Sequence, residues 1–189
     1  MQEERTYELK VSGLTRQLPI VAVNEELAIA SFVILGDCEL VCAAAQQLAT
    51  RLPSVDYLIT AEAKGIPLVQ EMSRILGMPS YIIARKSQKP YMRNPLVSTV
   101  MSITTQRPQT LYLDGTDMQK LRGKRVAIVD DVISTGESLR AMEELLNRCD
   151  AQIAAKAAIL AENKAADRSD IIFLERLPLF CAKTGEILS

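Results

Sequence analysis

The chain has 189 residues, of which 48% are hydrophobic and 24% charged, and its formal net charge is −1. These values are typical of one soluble globular domain and indicate no basic surface for nucleic acid. The sequence has no histidine and no Cys-x-x-Cys pair, which excludes a typical zinc site and a Ser–His or Cys–His catalytic pair. An acidic start without an apolar signal region, and the lack of any apolar stretch of roughly 20 residues, predict a cytoplasmic protein without a membrane span.

The N-terminal segment, residues 1–36, has the pattern of a small β structure. Residues 6–11 alternate between apolar and polar side chains, and residues 17–23 form a second extended stretch. The apolar run 27–35 is too short to span a membrane and is interpreted as part of a cover or an interface. We therefore expect a small β segment ahead of a core that spans residues 37–189.

The core alternates between helical and extended patterns. Helices are predicted at 37–51, 66–76 and from about 137, and strands at 55–60, 79–84, 126–129 and 153–160. Short strands follow at 171–174 and 177–180. This alternation predicts an α/β fold with a doubly wound, mostly parallel sheet.

A long connection interrupts the alternation. Residues 87–112 are predicted to form a flexible loop, in which 98–105 and 110–113 are the arms of a β ribbon and 106–109 its tip. Such loops can close over a reaction and exclude water. Residues 114–123 are interpreted as the connection back to the core.

The stretch from Val126 to Ser138 carries the clearest chemical pattern. A buried strand is followed by Asp130 and Asp131, and then by Ser134-Thr135-Gly136 at the start of a helix. Unpaired N–H groups and hydroxyls at a helix start favour a phosphate. The carboxylates can accept hydrogen bonds from vicinal hydroxyls or help to hold a hydrated Mg²⁺. A phosphorylated sugar diol would satisfy both halves of the pattern.

A second loop, Ala63-Lys64-Gly65, lies between a predicted strand and a helix, where free N–H groups and a cation suit a pyrophosphate. Loops at the carboxyl ends of neighbouring parallel strands share one crevice, so the two loops should face each other. Further cations that could balance a pyrophosphate follow the next strand: Arg85, Lys86 and Lys89.

The Asp130–Asp131 pair has three other interpretations. A Walker B strand would require a Gly-x-x-x-x-Gly-Lys-Ser/Thr loop, which the chain lacks. A receiver domain would place its acidic pair after the first strand rather than two-thirds along the chain. The third is an ordinary strand end with solvated carboxylates ahead of a capped helix.

The motif Val126-Ala-Ile-Val-Asp-Asp-Val-Ile-Ser-Thr-Gly-Glu-Ser138 resembles the phosphoribosyl pyrophosphate motif of the type I phosphoribosyltransferases. The Ala-Arg-Lys start at residues 84–86 resembles the purine members of that family, those acting on adenine and xanthine. The resemblance implies the type I fold with a hood from the N- and C-terminal segments, Mg²⁺ as cofactor, and a homodimer. It also implies transfer of the phosphoribosyl group from phosphoribosyl pyrophosphate (PRPP) to a purine, giving a nucleotide and pyrophosphate.

The resemblance assigns roles to particular residues. Asp130 and Asp131 bind the ribose hydroxyls, with Mg²⁺ held there through water, and act in catalysis together with Lys64. The 5-phosphate is held by Ser134, Thr135, Gly136, Glu137 and Ser138, and the pyrophosphate by Ala63, Lys64, Gly65, Arg85, Lys86 and Lys89. Candidates for base contact are Asn163, Lys164 and the aromatic Phe173 or Phe180.

Two points stay open at this stage. Glu137 stands where many members have glycine, and a carboxylate there is unfavourable beside a phosphate unless it points outward. Adenine is slightly favoured as the base because residues 27–31 offer no polar amide. The alternatives are xanthine or another 6-oxopurine, orotate or uracil, or a non-catalytic PRPP sensor of the same fold.

Overall fold

The computed structural model describes residues 5–101 and 108–188. The strands are β1 (Thr6–Val11), β2 (Leu14–Ala22), β3 (Leu27–Ala30), β4 (Tyr57–Ala61), β5 (Ile82–Ala84), β6 (Leu96–Met101), β7 (Pro108–Leu113), β8 (Arg125–Ile133), β9 (Gln152–Glu162), β10 (Ile172–Leu177), β11 (Leu179–Cys181) and β12 (Ile187–Leu188). The helices are α1 (Cys38–Arg51), α2 (Ile66–Ile75), α3 (Gly115–Leu121) and α4 (Glu137–Arg148), with a 3₁₀ turn at Asn163–Asp167.

The central sheet has the strand order β10-β9-β8-β4-β5, and every neighbouring pair in it is parallel. Its middle strand, β8, is buried on both faces, as Val126 and Val129 show at 0% exposure. A near-continuous apolar run is what a doubly covered parallel strand requires. The predicted doubly wound α/β sheet is confirmed.

Helices cover both faces of this sheet. Leu40 of α1 and Leu68 of α2 belong to one buried cluster, together with Ala127 of β8. Leu145 of α4 belongs to a second cluster, together with Ile128 of β8. Successive residues of β8 thus point into opposite cores, as the two-residue period of a strand dictates.

A second sheet, antiparallel, has the order β1-β2-β3-β11-β12 and joins the N-terminal strands to the C-terminal end of the chain. We call this sheet the hood. Arg16 in β2 pairs with Asp37, at 2.6 Å from Nε to Oδ2, and Asp37 also accepts a bond from Leu40 N at the start of α1. The N-cap of α1 therefore also fastens the hood to the core.

The ribbon packs on α4. Strands β6 and β7 pair in antiparallel register, and Ser98 Oγ donates to Glu144 Oε2 of α4 at 2.9 Å. The predicted arms of the ribbon are confirmed over the described residues, whereas 102–107 lie outside them. Gln109, expected at the tip, instead pairs with Val100 inside the ribbon.

One boundary prediction was wrong, and one predicted connection contains a helix. Residues 114–123 contain a short helix, α3, whose N-cap Asp114 accepts a bond from Thr116 N. Strand β8 does not end before the acidic pair but continues to Ile133, because pairing with β9 extends through Val132 and Ile133. Among the described residues, none of the helices is long and apolar enough to cross a membrane.

Candidate active site

The candidate site lies at the carboxyl edge of the central sheet. Neighbouring strands β4 and β8 are followed by helices that cover opposite faces, α2 after β4 and α4 after β8. Such a switch of direction opens a crevice between the two strand ends, where open α/β sheets bind ligands. The two loops singled out in the sequence both lead from this edge.

Lys64 joins the two loops. Its Nζ lies 2.6 Å from Asp131 Oδ2, and the Asp131 side chain is only 3% exposed whereas that of Lys64 is 45% exposed. Asp131 Oδ2 is fully buried and receives no well-aligned hydrogen bond from the described residues, so the ammonium group compensates its charge. The backbone N–H of Asp131 donates to Asp130 Oδ1 at 2.9 Å. Lys64 and the acidic pair thus form one cluster, and the two loops face each other as predicted.

Asp130 is held in an unusual electrostatic state. Burial, reinforced by the neighbouring charge of Asp131, raises the pKa of its carboxyl from the ordinary 3.8 to about 8. The backbone bond and Lys64 oppose this rise in pKa without overcoming it. A carboxyl whose pKa lies near neutral pH, beside a cation and a second carboxylate, is typical of functional sites.

Gly65 allows this cluster to close. A Cβ at Gly65 would lie 2.0 Å from Thr60 Oγ1 and 3.3 Å from Asp130 Oδ1. Since Gly65 has an ordinary φ of −71°, the requirement for glycine is one of space rather than of backbone conformation. The loop after β4 therefore packs directly against the acidic pair.

The loop after β8 has the form expected of an anion-binding turn. Gly136 has a left-handed φ of 79° and caps α4, which begins at Glu137. Ser134 and Thr135 are exposed, and both line a small cavity of about 70 Å³ as well as the larger one described below. Ser138 Oγ donates to Gln109 Oε1 of the ribbon at 2.6 Å. The ribbon thus contacts the loop directly.

Glu137 does not point outward. Its residue is only 4% exposed, and it lines the small cavity beside the loop. Glu137 therefore does not take the outward position that would keep its carboxylate away from a bound phosphate.

The predicted pyrophosphate cations gather around Glu62, a residue to which the sequence alone assigned no role. Arg85 Nη1 lies 3.1 Å and Lys89 Nζ 3.9 Å from the Glu62 carboxylate. The backbone N–H of Lys86 donates to the same group at 3.1 Å and, with the two cations, lowers the pKa of Glu62. Arg85 and Lys89 lie near the loop, but one carboxylate already pairs with both, and Lys86 is exposed.

A cavity of about 750 Å³, which we call the hood cavity, opens between the hood and the carboxyl edge of the central sheet. Asn163 and Lys164, the predicted base contacts, lie on its wall, as does Glu162 at the end of β9. Burial raises the pKa of Glu162, and nearby Lys64 lowers it in part. The other lining residues are Val23, Asn24, Leu27, Ile29, Ser134, Thr135, Ala165, Arg168 and Leu179.

The aromatic candidates do not lie at this cavity. Phe180 is 3% exposed and packs edge-on against Tyr7 inside the hood, with ring centroids 5.5 Å apart. Phe173 packs against the core cluster under α4. The structure does not bring Phe180 to the cavity where a base was expected, because the ring is buried in the hood core against Tyr7.

Sequence reasoning missed four residues that the fold brings to this edge: Glu62, Gln109, Glu162 and Arg168. Glu62 and Glu162 both lie at strand ends, a position that could have drawn attention to them. Gln109 and Arg168 carried no such signal, because only the docking of the ribbon and of the 3₁₀ turn places them here.

A family model described as phosphoribosyl transferase domain matches residues 42–179, well over half of the chain. The chain belongs to this family. The resemblance carried by Val126–Ser138 is thereby confirmed, and the phosphoribosyltransferase domain contains both loops of the candidate site.

Curated relatives of this phosphoribosyltransferase domain include two archaeal proteins named hypoxanthine/guanine phosphoribosyltransferase. One, from a Methanocaldococcus species, is 40% identical over 99 residues, which are 52% of this chain and 46% of the relative. The other, from Methanocaldococcus jannaschii, is 37% identical over 114 residues, 57% of this chain and 58% of the relative. The chain thus spans about half the length of these relatives.

Solved structures with the same fold include adenine phosphoribosyltransferases. The enzyme from Thermoanaerobacter pseudethanolicus has a TM-score of 0.64 at 22% identity, over 76% of this chain and 84% of that one. The enzyme from Giardia lamblia, complexed with 9-deazaadenine, has a TM-score of 0.64 at 15% identity, over 90% and 93%. At these identities the likeness shows the fold, which is that of the type I phosphoribosyltransferases.

Proposed function

We propose that this protein is a purine phosphoribosyltransferase, which transfers the phosphoribosyl group of PRPP to a ring nitrogen of a purine. The observation that carries the proposal is the cluster of Lys64, Asp130 and Asp131 at the strand switch, beside the phosphate-type loop Ser134–Ser138. One end of this crevice suits a phosphate, its middle a diol, and its cationic side a pyrophosphate.

The reaction follows from this division of the crevice. The bond between the anomeric carbon and pyrophosphate breaks, pyrophosphate leaves with the electron pair, and the purine nitrogen forms the new C–N bond and releases its N–H proton to solvent. Positive charge grows on the sugar as the leaving group departs, so carboxylates close to the diol stabilise the transition state. In this proposal Asp130 and Asp131 take that role and accept bonds from the ribose hydroxyls.

The remaining groups hold the two ends of the substrate. Ser134 through Ser138 bind the 5-phosphate with hydroxyls and backbone N–H groups, and Ala63 to Gly65 bind the pyrophosphate, with Lys64 as its counter-charge. Arg85, Lys86 and Lys89 complete the neutralisation of pyrophosphate, with Glu62 positioning Arg85 and Lys89. Fixing three parts of one substrate supplies much of the catalysis without a covalent nucleophile.

The donors at the site fit Mg²⁺ bound together with substrate. In the described part of the chain, no group of three or more acidic, cysteine or histidine side chains could hold a metal by itself. Mg²⁺ often binds through one or two carboxylates, water and substrate phosphates, which Asp130 and Asp131 can provide with PRPP present. When bound there, the ion would offset the negative charge of the leaving pyrophosphate.

Two observations bear on the base and favour different purines. The curated relatives, at 36–40% identity, are named for hypoxanthine and guanine, and Lys164 at the hood cavity could donate to a 6-oxo group. The hood side of that cavity has three apolar residues, Val23, Leu27 and Ile29, and these support adenine. It also has one amide, Asn24, whose Oδ1 already accepts bonds from the backbone N–H groups of residues 26 and 27. We assign the base to this cavity and leave its identity to the assay.

The test is pyrophosphate release in the presence of PRPP and Mg²⁺, with adenine, hypoxanthine, guanine, xanthine, orotate and uracil supplied separately. Release with one or more purines supports the proposal and names the substrate. The variant with both Asp130→Asn and Asp131→Asn should fold, as judged by circular dichroism, and release no pyrophosphate. Silence of the unaltered protein with every base, alongside measurable PRPP binding, would instead identify a sensor on this fold.

A further inference from the structure

Arg168 follows the 3₁₀ turn after β9 and lies outside every motif singled out in the sequence. Its Nε and Nη2 donate to the two oxygens of Asp170, at 2.9 and 2.8 Å. This side-on, two-point contact fixes the plane of the guanidinium group. Because two of its three nitrogens are engaged, the direction of the third, Nη1, is also determined.

Nη1 is directed at the loop after β8. A Cβ built on Gly136 would lie 3.4 Å from it, and that atom is the first neighbour such a Cβ would meet. Arg168 also lines the hood cavity together with Ser134 and Thr135. Within residues 5–101 and 108–188, Nη1 has no hydrogen-bond partner, so its two N–H groups are available to donate to a ligand beside the loop.

Asp170 is itself held in place from the sheet. Lys156, on β9 and 18% exposed at its side chain, donates to Asp170 Oδ2 at 2.8 Å and also pairs with Glu143 of α4. Arg168 and Lys156 together lower the pKa of Asp170, which therefore stays ionised at neutral pH. The chain of contacts from α4 and β9 to Arg168 gives this half-exposed arginine a defined position.

We propose that Arg168 is a further binding residue for the 5-phosphate, which donates through Nη1 to a phosphate oxygen held by the Ser134–Ser138 loop. Asp170 acts as its positioning residue. The assignment rests on the proposed function, because it takes the loop to be the phosphate site.

The chain contains a matched control. Arg176 also pairs with an aspartate, Asp167 of the 3₁₀ turn, with Nη2 2.9 Å from Asp167 Oδ1, but it lines neither the small cavity nor the hood cavity. If Arg168 were only a surface ion pair, replacing either arginine would have the same small effect.

The experiment is calorimetric titration with ribose 5-phosphate and, separately, with pyrophosphate. Arg168→Gln should weaken ribose 5-phosphate binding about tenfold, as expected for one charge-assisted hydrogen bond, while pyrophosphate binding stays within about twofold. Arg176→Gln should change neither. Arg168→Lys should restore only part of the affinity, because an ammonium group lacks the planar fork that Asp170 orients.

The outcomes separate the two proposals. Unchanged ribose 5-phosphate binding in Arg168→Gln, with normal binding by the unaltered protein, would overturn the role of Arg168 alone. Equal losses of ribose 5-phosphate and pyrophosphate binding would also overturn it, since they would indicate a general change of the fold. Failure of the unaltered protein to bind ribose 5-phosphate would overturn this assignment and the proposed function together.

Discussion

At the scale of single residues, the site concentrates charge that the fold by itself does not need. Asp130 and Asp131 are adjacent carboxylates at a buried edge, and Lys64 contacts one of them. Placing like charges in a poorly solvated position opposes folding, and such positions are commonly kept for function at the expense of stability. Both the stability and the kinetics of this cluster can be tested.

Asp130→Asn is expected to stabilise the protein without ligand at neutral pH. The pKa of Asp130 is raised on folding from 3.8 to about 8, so its ionisation favours the unfolded chain. The penalty is absent below the unfolded pKa and grows as the pH rises toward the folded one. Removing the charge should therefore raise the free energy of unfolding by several kcal/mol at pH 7, because that pH lies roughly three units above the unfolded pKa at about 1.4 kcal/mol per unit. At pH 4 the gain should be less than about 1 kcal/mol.

Urea unfolding of both proteins at pH 4 and pH 7 measures this difference. Asn can still accept the bond from the Asp131 N–H, so the local backbone contact is retained. An equal effect of the substitution at both pH values would show that ionisation of Asp130 is not what burial opposes.

Lys64→Ala is expected to raise the KM for PRPP at least tenfold and to change the KM for the base by less than about twofold, because the proposed function makes its ammonium group the counter-charge of the pyrophosphate. Lys120→Ala is the matched control, since Lys120 is similarly exposed and pairs with Asp117 at the same kind of distance, 2.7 Å. Initial rates with each substrate varied in turn give both constants. A larger effect on the base than on PRPP would place Lys64 outside the pyrophosphate site.

At the scale of elements, the turn between β8 and α4 combines a structural and a chemical requirement. Gly136 has a left-handed φ of 79°, which only glycine adopts without strain. The same turn precedes the first N–H groups of α4, which have no acceptor within the helix. Substitutions here should therefore separate the cost of backbone strain from the loss of ligand binding.

Gly136→Ala is expected to lower stability by about 1–2 kcal/mol and to weaken binding of ribose 5-phosphate as well. Gly77→Ala is its control, because Gly77 follows α2 with a left-handed φ of 66° and has open space around it. Thermal unfolding should show comparable losses for both variants, and titration a loss for Gly136→Ala alone. Normal binding by Gly136→Ala would mean that this turn does not hold the phosphate.

At the scale of the whole molecule, the hood cavity is assembled from parts of the chain that are distant in sequence. The N-terminal strands, the turn after β9 and Leu179 of β11 all contribute to its wall. The antiparallel sheet holds these parts together, since β11 pairs with β3. Base binding, if it occurs there, depends on the hood, whereas PRPP binding depends on the central sheet.

Val23→Asn is expected to raise the KM for the base about fivefold, which corresponds to the loss of roughly 1 kcal/mol of apolar contact, and to leave the KM for PRPP unchanged. Val33→Asn is a close control, because Val23 and Val33 are both 58% exposed and only Val23 lines the cavity. Steady-state kinetics with the base and PRPP varied in turn gives both KM values for each variant. Equal effects of the two variants would mean that the base does not bind against the hood.

The sequence by itself determined the parts of this protein whose signals are local. The apolar run from Val126 to Val129, the acidic pair after it and the Ser134–Gly136 turn predicted a strand, a site and a helix start from adjacent residues. That the Lys64 loop faces the acidic pair also followed, because parallel strands end at one edge of a sheet, whereas the ion pair between Lys64 and Asp131 was not predicted.

Only the tertiary structure decided the contacts between distant segments. Phe180 faces the hood core rather than a ligand because β11 pairs with β3, and Gln109 reaches Ser138 because the ribbon docks on α4. The inward position of Glu137 and the fixed plane of Arg168 likewise depend on packing and on ion pairs across elements. Side-chain direction at such positions is set by neighbours far away in the chain, and no periodicity within a segment encodes it.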